Sequence, residues 1–130
     1  MANGCFDVLH IGHLRLLRYA RELGTHLLVA INSDESVRRL KGPTRPINPV
    51  NHRVEMLRAM RFVDQVVVYD ENTAHRVIES FRPKIIVWGG ESTKDNAPEL
   101  PLIHSLGIQV VRYTMVPSVS TTEVVRRLNG

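Results

Sequence analysis

Two imidazoles stand three residues apart around a glycine in Gly4-Cys5-Phe6-Asp7-Val8-Leu9-His10-Ile11-Gly12-His13, just after a very short apolar start to the chain. With Gly12 removing a side chain between them, both rings can approach one phosphate while the amides of a following helix add positive potential. Groups so placed do not attack. They stabilise charge on nonbridging oxygens and align the attacking and leaving oxygens of a phosphoryl or nucleotidyl centre. The plainer alternative is a helix cap at His10 and a surface histidine at His13. A second phosphate-shaped element lies near the far end, in Val119-Ser120-Thr121-Thr122-Glu123. If Ser120 caps a last helix, Glu123 falls at the N3 position of a capping box, and the same hydroxyls and free amides can hold β- and γ-phosphates.

Between these ends, Arg38-Arg39-Leu40-Lys41-Gly42-Pro43-Thr44-Arg45-Pro46-Ile47-Asn48-Pro49 puts positive groups on a loop stiffened by proline. Lys41 can neutralise a triphosphate as a point charge, and Arg45 can grip either phosphate reactant with its planar fork. The bland reading is a solvated loop. Arg53 either reaches back to an acceptor phosphate or lies on an exposed helix face. Asp7 can orient an imidazole or hold a water near a divalent ion, with a local turn contact as the alternative. Cys5 reads as a small apolar residue rather than a nucleophile, because no base and orienting partner accompany it. In Trp88-Gly89-Gly90-Glu91 the glycines allow close backbone approach to a nucleotide base, while Trp88 packs on that base or, the favoured reading, completes the core.

These residues need elements to hold them. Short β-branched runs alternate with longer amphipathic ones, the rhythm of a parallel sheet covered by helices. Strands are expected at Ala2 to Cys5, Leu27 to Asn32, Gln65 to Tyr69, Lys84 to Trp88 and Gln109 to Tyr113. Leu14, Leu17, Ala20 and Leu23 recur at helical spacing, and Gly24 marks the stop. Ser33-Asp34-Glu35-Ser36 caps a short helix through Leu40, and the glycine and prolines from Gly42 to Pro49 forbid its continuation. Further helices are expected at Val50 to Met60, Thr73 to Phe81, Pro98 to Leu106 and Thr121 to Leu128. In such a sheet the ligand lies beyond the carboxyl ends of the strands, where the strand order reverses, and His10, Asn32, Gly89 and Ser120 fall near strand ends or helix starts.

The 130 residues, 43% of them hydrophobic, match one α/β domain spanning the whole chain, 1–130. No stretch approaches the roughly 20 apolar residues of a membrane span, and no basic region leads into an apolar signal, so a soluble cytoplasmic protein is expected. Cys5 is the only cysteine, which excludes an internal disulfide and a thiolate metal cluster. The net charge of +4 is modest, aromatic content is only 5%, and the basic residues sit in separate groups. Nucleic-acid binding, which uses a broad basic stripe with stacking platforms, is therefore set well below a small phosphorylated ligand.

Taken in order, these elements resemble the nucleotidyltransferase family whose motifs are H-x-G-H and a late I-S-T-T or C-S-T-T segment. The resemblance runs from Asn3 to Asp7 through Asn32-Ser33-Asp34, Leu40-Lys41-Gly42, Arg45 to Pro49 and Gly89-Gly90 to Ser120-Thr121-Thr122. It implies a Rossmann-like five-stranded parallel sheet and transfer of a nucleoside monophosphate from a nucleoside triphosphate to a phosphorylated sugar or polyol. Pyrophosphate is released, with Mg²⁺ carried mainly by the nucleotide and no protein metal site. His10 and His13 would contact the triphosphate, Lys41 would stabilise the transferred phosphate, and Ser120 with Thr121 would hold the pyrophosphate. Cys5, Phe6, Gly12, Asn32, Trp88, Gly89 and Thr122 fall on the nucleotide side; Asp7, Asp34, Arg45 and Arg53 fall on the acceptor side.

Cys5 and the stretch from Lys41 to Pro49 lean toward the heptose-type adenylyltransferases of that family, which use ATP and a heptose 1-phosphate. The alternative is a CTP-dependent enzyme acting on glycerol 3-phosphate or a similar acceptor. Its late segment resembles R-T-E-G-I-S-T-T, and this chain lacks that arginine. Trp88 and Ser118 depart from the heptose-type pattern of V-K-G-G-D and a late glycine, which keeps a non-catalytic nucleotide-binding module as a further alternative. The family also implies a homodimer.

Overall fold

The computed structural model describes residues 1–89 and 96–114. Ser118, the late hydroxyl motif Ser120, Thr121 and Thr122, and the expected helix from Thr121 to Leu128 lie outside the described residues. So do Gly90 and Glu91. The elements run in the order β1 (Ala2–Gly4), α1 (Ile11–Glu22), β2 (Leu28–Asn32), α2 (Asp34–Lys41), α3 (Val50–Arg58), β3 (Gln65–Tyr69), α4 (His75–Phe81), β4 (Ile85–Gly89), α5 (Leu100–Ser105) and β5 (Gln109–Tyr113).

All five strands pair in parallel, in the order β3-β2-β1-β4-β5. The chain builds outward from β1 through β2 to β3, then crosses to the other side of β1 to lay down β4 and β5. The order reverses between β1 and β4, and in sheets of this kind ligands bind beyond the carboxyl ends of the strands at that point. The segment leaving β1 is the one that carries His10 and His13.

The sheet is covered on both faces, so its central strands read as continuous apolar runs. Every residue of β2 is buried. Its side chains nevertheless divide by the two-residue period of a strand. Val29 and Ile31 pack with Leu16, Leu17 and Ala20 of α1 and Leu57 of α3. Leu28 and Ala30 face the other way, onto Val77 and Ile78 of α4 and Ile103 of α5. In β4, Val87 belongs to the first layer while Ile86 and Trp88 belong to the second.

Element ends shift by a residue or two from the sequence expectation, for local reasons. Thr73, expected to open α4, instead bonds through Oγ1 to the His75 ring at 2.6 Å ahead of the first turn. The expected start of α5 at Pro98 moves to Leu100, with Pro101 tolerated in the first turn, where its missing N–H is not needed. Helix α3 stops at Arg58 rather than Met60, and β1 stops at Gly4 because Phe6, two residues on, takes a left-handed φ of 48° that turns the chain out of the sheet.

Candidate active site

The two histidines cap their own helix. His10 is the N-cap of α1 in extended geometry, and its Nδ1 accepts the Gly12 amide at 3.0 Å. His13, one turn later, returns the contact: its Nδ1 accepts the His10 amide at 3.2 Å. The exchange has the form of a capping box, with imidazoles in place of the usual hydroxyl and carboxyl. The cap reading of His10 and the phosphate reading are thus compatible, whereas His13 is buried rather than on the surface.

This exchange fixes the chemistry of both rings. An Nδ1 that accepts from an amide carries no proton, so each neutral ring holds its proton on Nε2 and is a donor there. The rings lie 4.0 Å apart between centroids and tilt by 35°. Burial lowers the pKa of His10, and burial, His10 and then the Lys41 charge push His13 down to about 4. Both rings are therefore neutral near pH 7. His10 Nε2 is buried and has no partner among the described residues. Unpaired buried donors are rare in folded proteins, and an acceptor brought by a ligand is one way to satisfy this one.

Lys41 ends α2 and is exposed, with no hydrogen bond or ion pair of its own among the described residues. Its charge is felt by His13 and by the Cys5 thiol. Arg53 and Arg45 act on the same thiol in the same direction, but desolvation dominates and pushes it up. Cys5 stays a protonated thiol, 3.6 Å from Asn32 Oδ1, which disfavours a nucleophilic role.

Arg53 departs from both sequence readings. It is 1% exposed, so it neither lies on an open helix face nor offers its guanidinium to an acceptor. Nε donates to Asn48 O at 3.0 Å, Nη1 to Cys5 O at 2.9 Å and Asn32 O at 2.8 Å, and Nη2 to Asp34 Oδ1 at 2.7 Å. One side chain thus ties together the ends of β1 and β2, the start of α2 and the proline loop. Asp34, expected on the acceptor side, is the partner of that buried guanidinium.

Asp7 is likewise redirected. The carboxylate, 2% exposed, accepts from Arg45 Nε at 3.0 Å, from the Ile47 amide at 2.9 Å and from the Asn48 amide at 2.9 Å. Asn48 Nδ2 donates to Asp7 O at 2.6 Å. These bonds run to the loop some forty residues downstream, where the sequence offered an imidazole, a water near a divalent ion or a local turn as partner. Asn48 had no individual role in the sequence reading; its place between Pro46 and Pro49, where the chain must stay extended, was the available signal.

Asn32, expected beside the nucleotide, is 3% exposed and spent on the interior. Its Nδ2 donates to Ser36 Oγ at 3.0 Å and its Oδ1 accepts from Tyr69 OH at 3.2 Å. Trp88 takes the core reading at 5% exposure. Gly89 serves close packing: a Cβ there would lie 2.9 Å from Leu16 Cδ2, so its missing side chain lets α1 approach the end of β4. Phe6 is buried, with its ring 5.3 Å from that of His13. Gly12 is buried and gives its amide to the His10 cap. A cavity of about 310 Å³ borders Asp7 and Asn48, with Leu9, His52 and Glu55 among its walls.

Residues 1–127 match the cytidylyltransferase-like family. The chain is 42% identical over 126 residues to the bifunctional protein HldE of Alcanivorax borkumensis, covering 97% of this chain and 26% of that protein. It is 41% identical over 130 residues to the bifunctional protein HldE of Vibrio atlanticus, covering 100% of this chain and 27% of the relative. The chain thus spans about a quarter of the length of these relatives. The fold aligns with a crystal structure of the lipopolysaccharide core biosynthesis protein from Thermoplasma volcanium at a TM-score of 0.75 and 29% identity, covering 90% of this chain and 94% of that one.

Proposed function

The chain belongs to the cytidylyltransferase-like family, and from that premise we propose that it is a nucleotidyltransferase moving AMP from ATP to a sugar 1-phosphate, a heptose 1-phosphate above others, with release of pyrophosphate. The observation that carries the transfer reading is the reciprocal histidine cap at the switch point of the sheet. It leaves the Nε2–H of His10 without a partner among the described residues at the N-terminal end of α1, where the charge of Lys41 is felt by His13. Donors fixed before the reaction do not have to reorganise as charge moves from the acceptor oxygen to the pyrophosphate.

In this mechanism His10 and His13 donate to oxygens of the triphosphate, and Lys41 neutralises the phosphate being transferred. A phosphate oxygen of the acceptor is already ionised near neutral pH, so it attacks the α-phosphorus directly while the bond to the bridging oxygen of pyrophosphate breaks. Alignment and charge neutralisation do the remaining work, and no covalent intermediate forms. Ser120, Thr121 and Thr122 receive the pyrophosphate in this proposal. Mg²⁺ enters with the triphosphate as part of the substrate. Among the described residues no group of three His, Cys, Asp or Glu side chains could hold a metal ion, and Asp7 is committed to the proline loop.

Support for the heptose acceptor is the likeness of Cys5 and the Lys41 to Pro49 stretch to the heptose-type enzymes, together with the names of the HldE relatives and the lipopolysaccharide core biosynthesis protein. Transfer of CMP from CTP to a polyol phosphate is the second reading, favoured by the family's own description. No helix of the described residues is long and apolar enough to cross a membrane. We place the protein in the cytoplasm as a homodimer, which sedimentation tests.

The deciding experiment measures pyrophosphate release from ATP and CTP, each with heptose 1-phosphate, other sugar 1-phosphates and glycerol 3-phosphate, with Mg²⁺ present. Release that needs both ATP and a sugar 1-phosphate, and that falls about a hundredfold in His10→Ala, is expected. Nucleotide binding without product from any pair would mean a binding module.

A further inference from the structure

We propose that Phe6 is a positioning residue that acts through His13: its ring walls the imidazole off from water and holds it as the Nε2–H donor the transfer uses. The donor's use rests on the transfer reading above; the wall does not.

The backbone gives the first sign. Phe6 leaves β1 with a φ of 48°, in the left-handed region that a Cβ disfavours and that glycine, and less fully asparagine, enter at lower cost. The other residue with a side chain and a positive φ among the described ones is Arg82, the C-cap of α4, where that conformation commonly ends a helix. Phe6 ends no helix. A bulky residue held in this conformation needs a gain elsewhere, and the ring is where to look for it.

The ring is spent on two neighbours. It is 6% exposed and lies along the last residue of β1, where a Cβ on Gly4 would meet Phe6 Cε2 at 3.4 Å. Its centroid stands 5.3 Å from that of His13 with a tilt of 58°, within the range of paired aromatic rings. His13 thus has His10 as one ring neighbour, at 4.0 Å, and Phe6 as another. Phe6 is the apolar one, and burial leaves it little open ring on which a base could stack.

His13 has to stay dry to keep its role. Its Nδ1 accepts the His10 amide at 3.2 Å, so a proton on that nitrogen would set two donors against each other and break the cap. His10 from the cap and Lys41 from the end of α2 both oppose that proton, but burial opposes it more. Asp7, the carboxylate next to Phe6 in the chain, is bonded to Arg45, Ile47 and Asn48 of the proline loop. An apolar wall beside the imidazole therefore protects both the cap and the position of Nε2–H.

The test follows His13 directly and through turnover. Its ring-proton titration is read by NMR, the signal being assigned by its absence from His13→Asn. Phe6→Asn suits the left-handed backbone and lets water reach the imidazole, and should move the midpoint up from about 4 by about one unit or more, a tenfold gain in proton affinity. Phe6→Leu, still apolar, should move it by less than half as much. In pyrophosphate release, Phe6→Asn should lose about tenfold in kcat with the nucleotide KM within about threefold, and the acidic limb of its kcat profile should rise with the NMR midpoint. Added to His13→Asn, Phe6→Asn should cost no further kcat, because the ring it acts through is gone. A His13 midpoint that Phe6→Asn leaves in place overturns the proposal. So does a nucleotide KM that rises tenfold with kcat unchanged, since the phenyl ring would then meet the nucleotide itself. If Phe6→Asn does not fold, Phe6→Leu reads the same two shifts at smaller size. A midpoint that moves in a chain releasing no pyrophosphate from any substrate pair sinks the transfer and supports the wall.

Discussion

Lowering the pH should unfold this protein through His13. In the unfolded chain the ring takes up a proton near its ordinary value of 6.5, whereas in the folded protein it stays neutral until about 4. Above the ordinary value the ring is neutral in both states and pH has no leverage through it. Between the two values the unfolded state binds the extra proton, so stability is lost as pH falls and the loss levels off below about 4. Each unit of pKa difference is worth about 1.4 kcal/mol, so the whole window amounts to roughly 3 kcal/mol. The ring is only 9% exposed, so solvent screening takes little from that figure. The assay is urea unfolding at intervals from pH 7.5 to pH 4, comparing wild type with His13→Asn. The asparagine oxygen can replace Nδ1 as acceptor for the His10 amide, but the side chain does not titrate. Wild type should lose about 3 kcal/mol more than the variant across the interval. Parallel curves would mean that the ring is not held neutral, and the assignment of both histidines as Nε2–H donors would fall with it.

Other expectations follow from contacts on the same strand ends. Arg53→Met should cost about 3 kcal/mol or more in urea unfolding, because the Cys5, Asn32 and Asn48 carbonyls and Asp34 lose their donor together; a loss under 1 kcal/mol would show that water replaces the guanidinium. Gly89→Ala should cost about 1–3 kcal/mol by thermal denaturation, since the new methyl meets Leu16 at 2.9 Å, and Leu16→Ala in the same chain should recover part of it. Cys5→Ala should keep pyrophosphate release within a few-fold, and iodoacetamide should label the wild-type thiol slowly at pH 7, as expected for a thiol whose pKa is raised by burial.

What the sequence made legible was whatever depends on neighbours in the chain. The alternation of β-branched and amphipathic runs set the parallel sheet, and the spacing of His10 and His13 put two rings over one turn of helix before any contact was seen. Roles that depend on distant partners were not legible. Arg53 sits in a helix whose face gave no sign that its charge would be buried, and its carbonyl partners carry no side-chain signature. Asp7 was read with the histidines beside it because they are adjacent in sequence, but its partners, Arg45, Ile47 and Asn48, come from a loop that only the fold brings near. Gly89 was taken for ligand approach, and the object that approaches it is a leucine from α1.

Asp7 and Arg53 grip the surrounding loops largely by main-chain groups: the amides of Ile47 and Asn48, and the carbonyls of Cys5, Asn32 and Asn48. A grip on peptide groups is indifferent to most of the side chains those peptides carry. Ile47 and its exposed neighbours Asn51 and His52 can therefore diverge among descendants of this chain without loosening the histidines or the lysine. Inherited chemistry and changeable taste are thereby built on the same few turns of polypeptide.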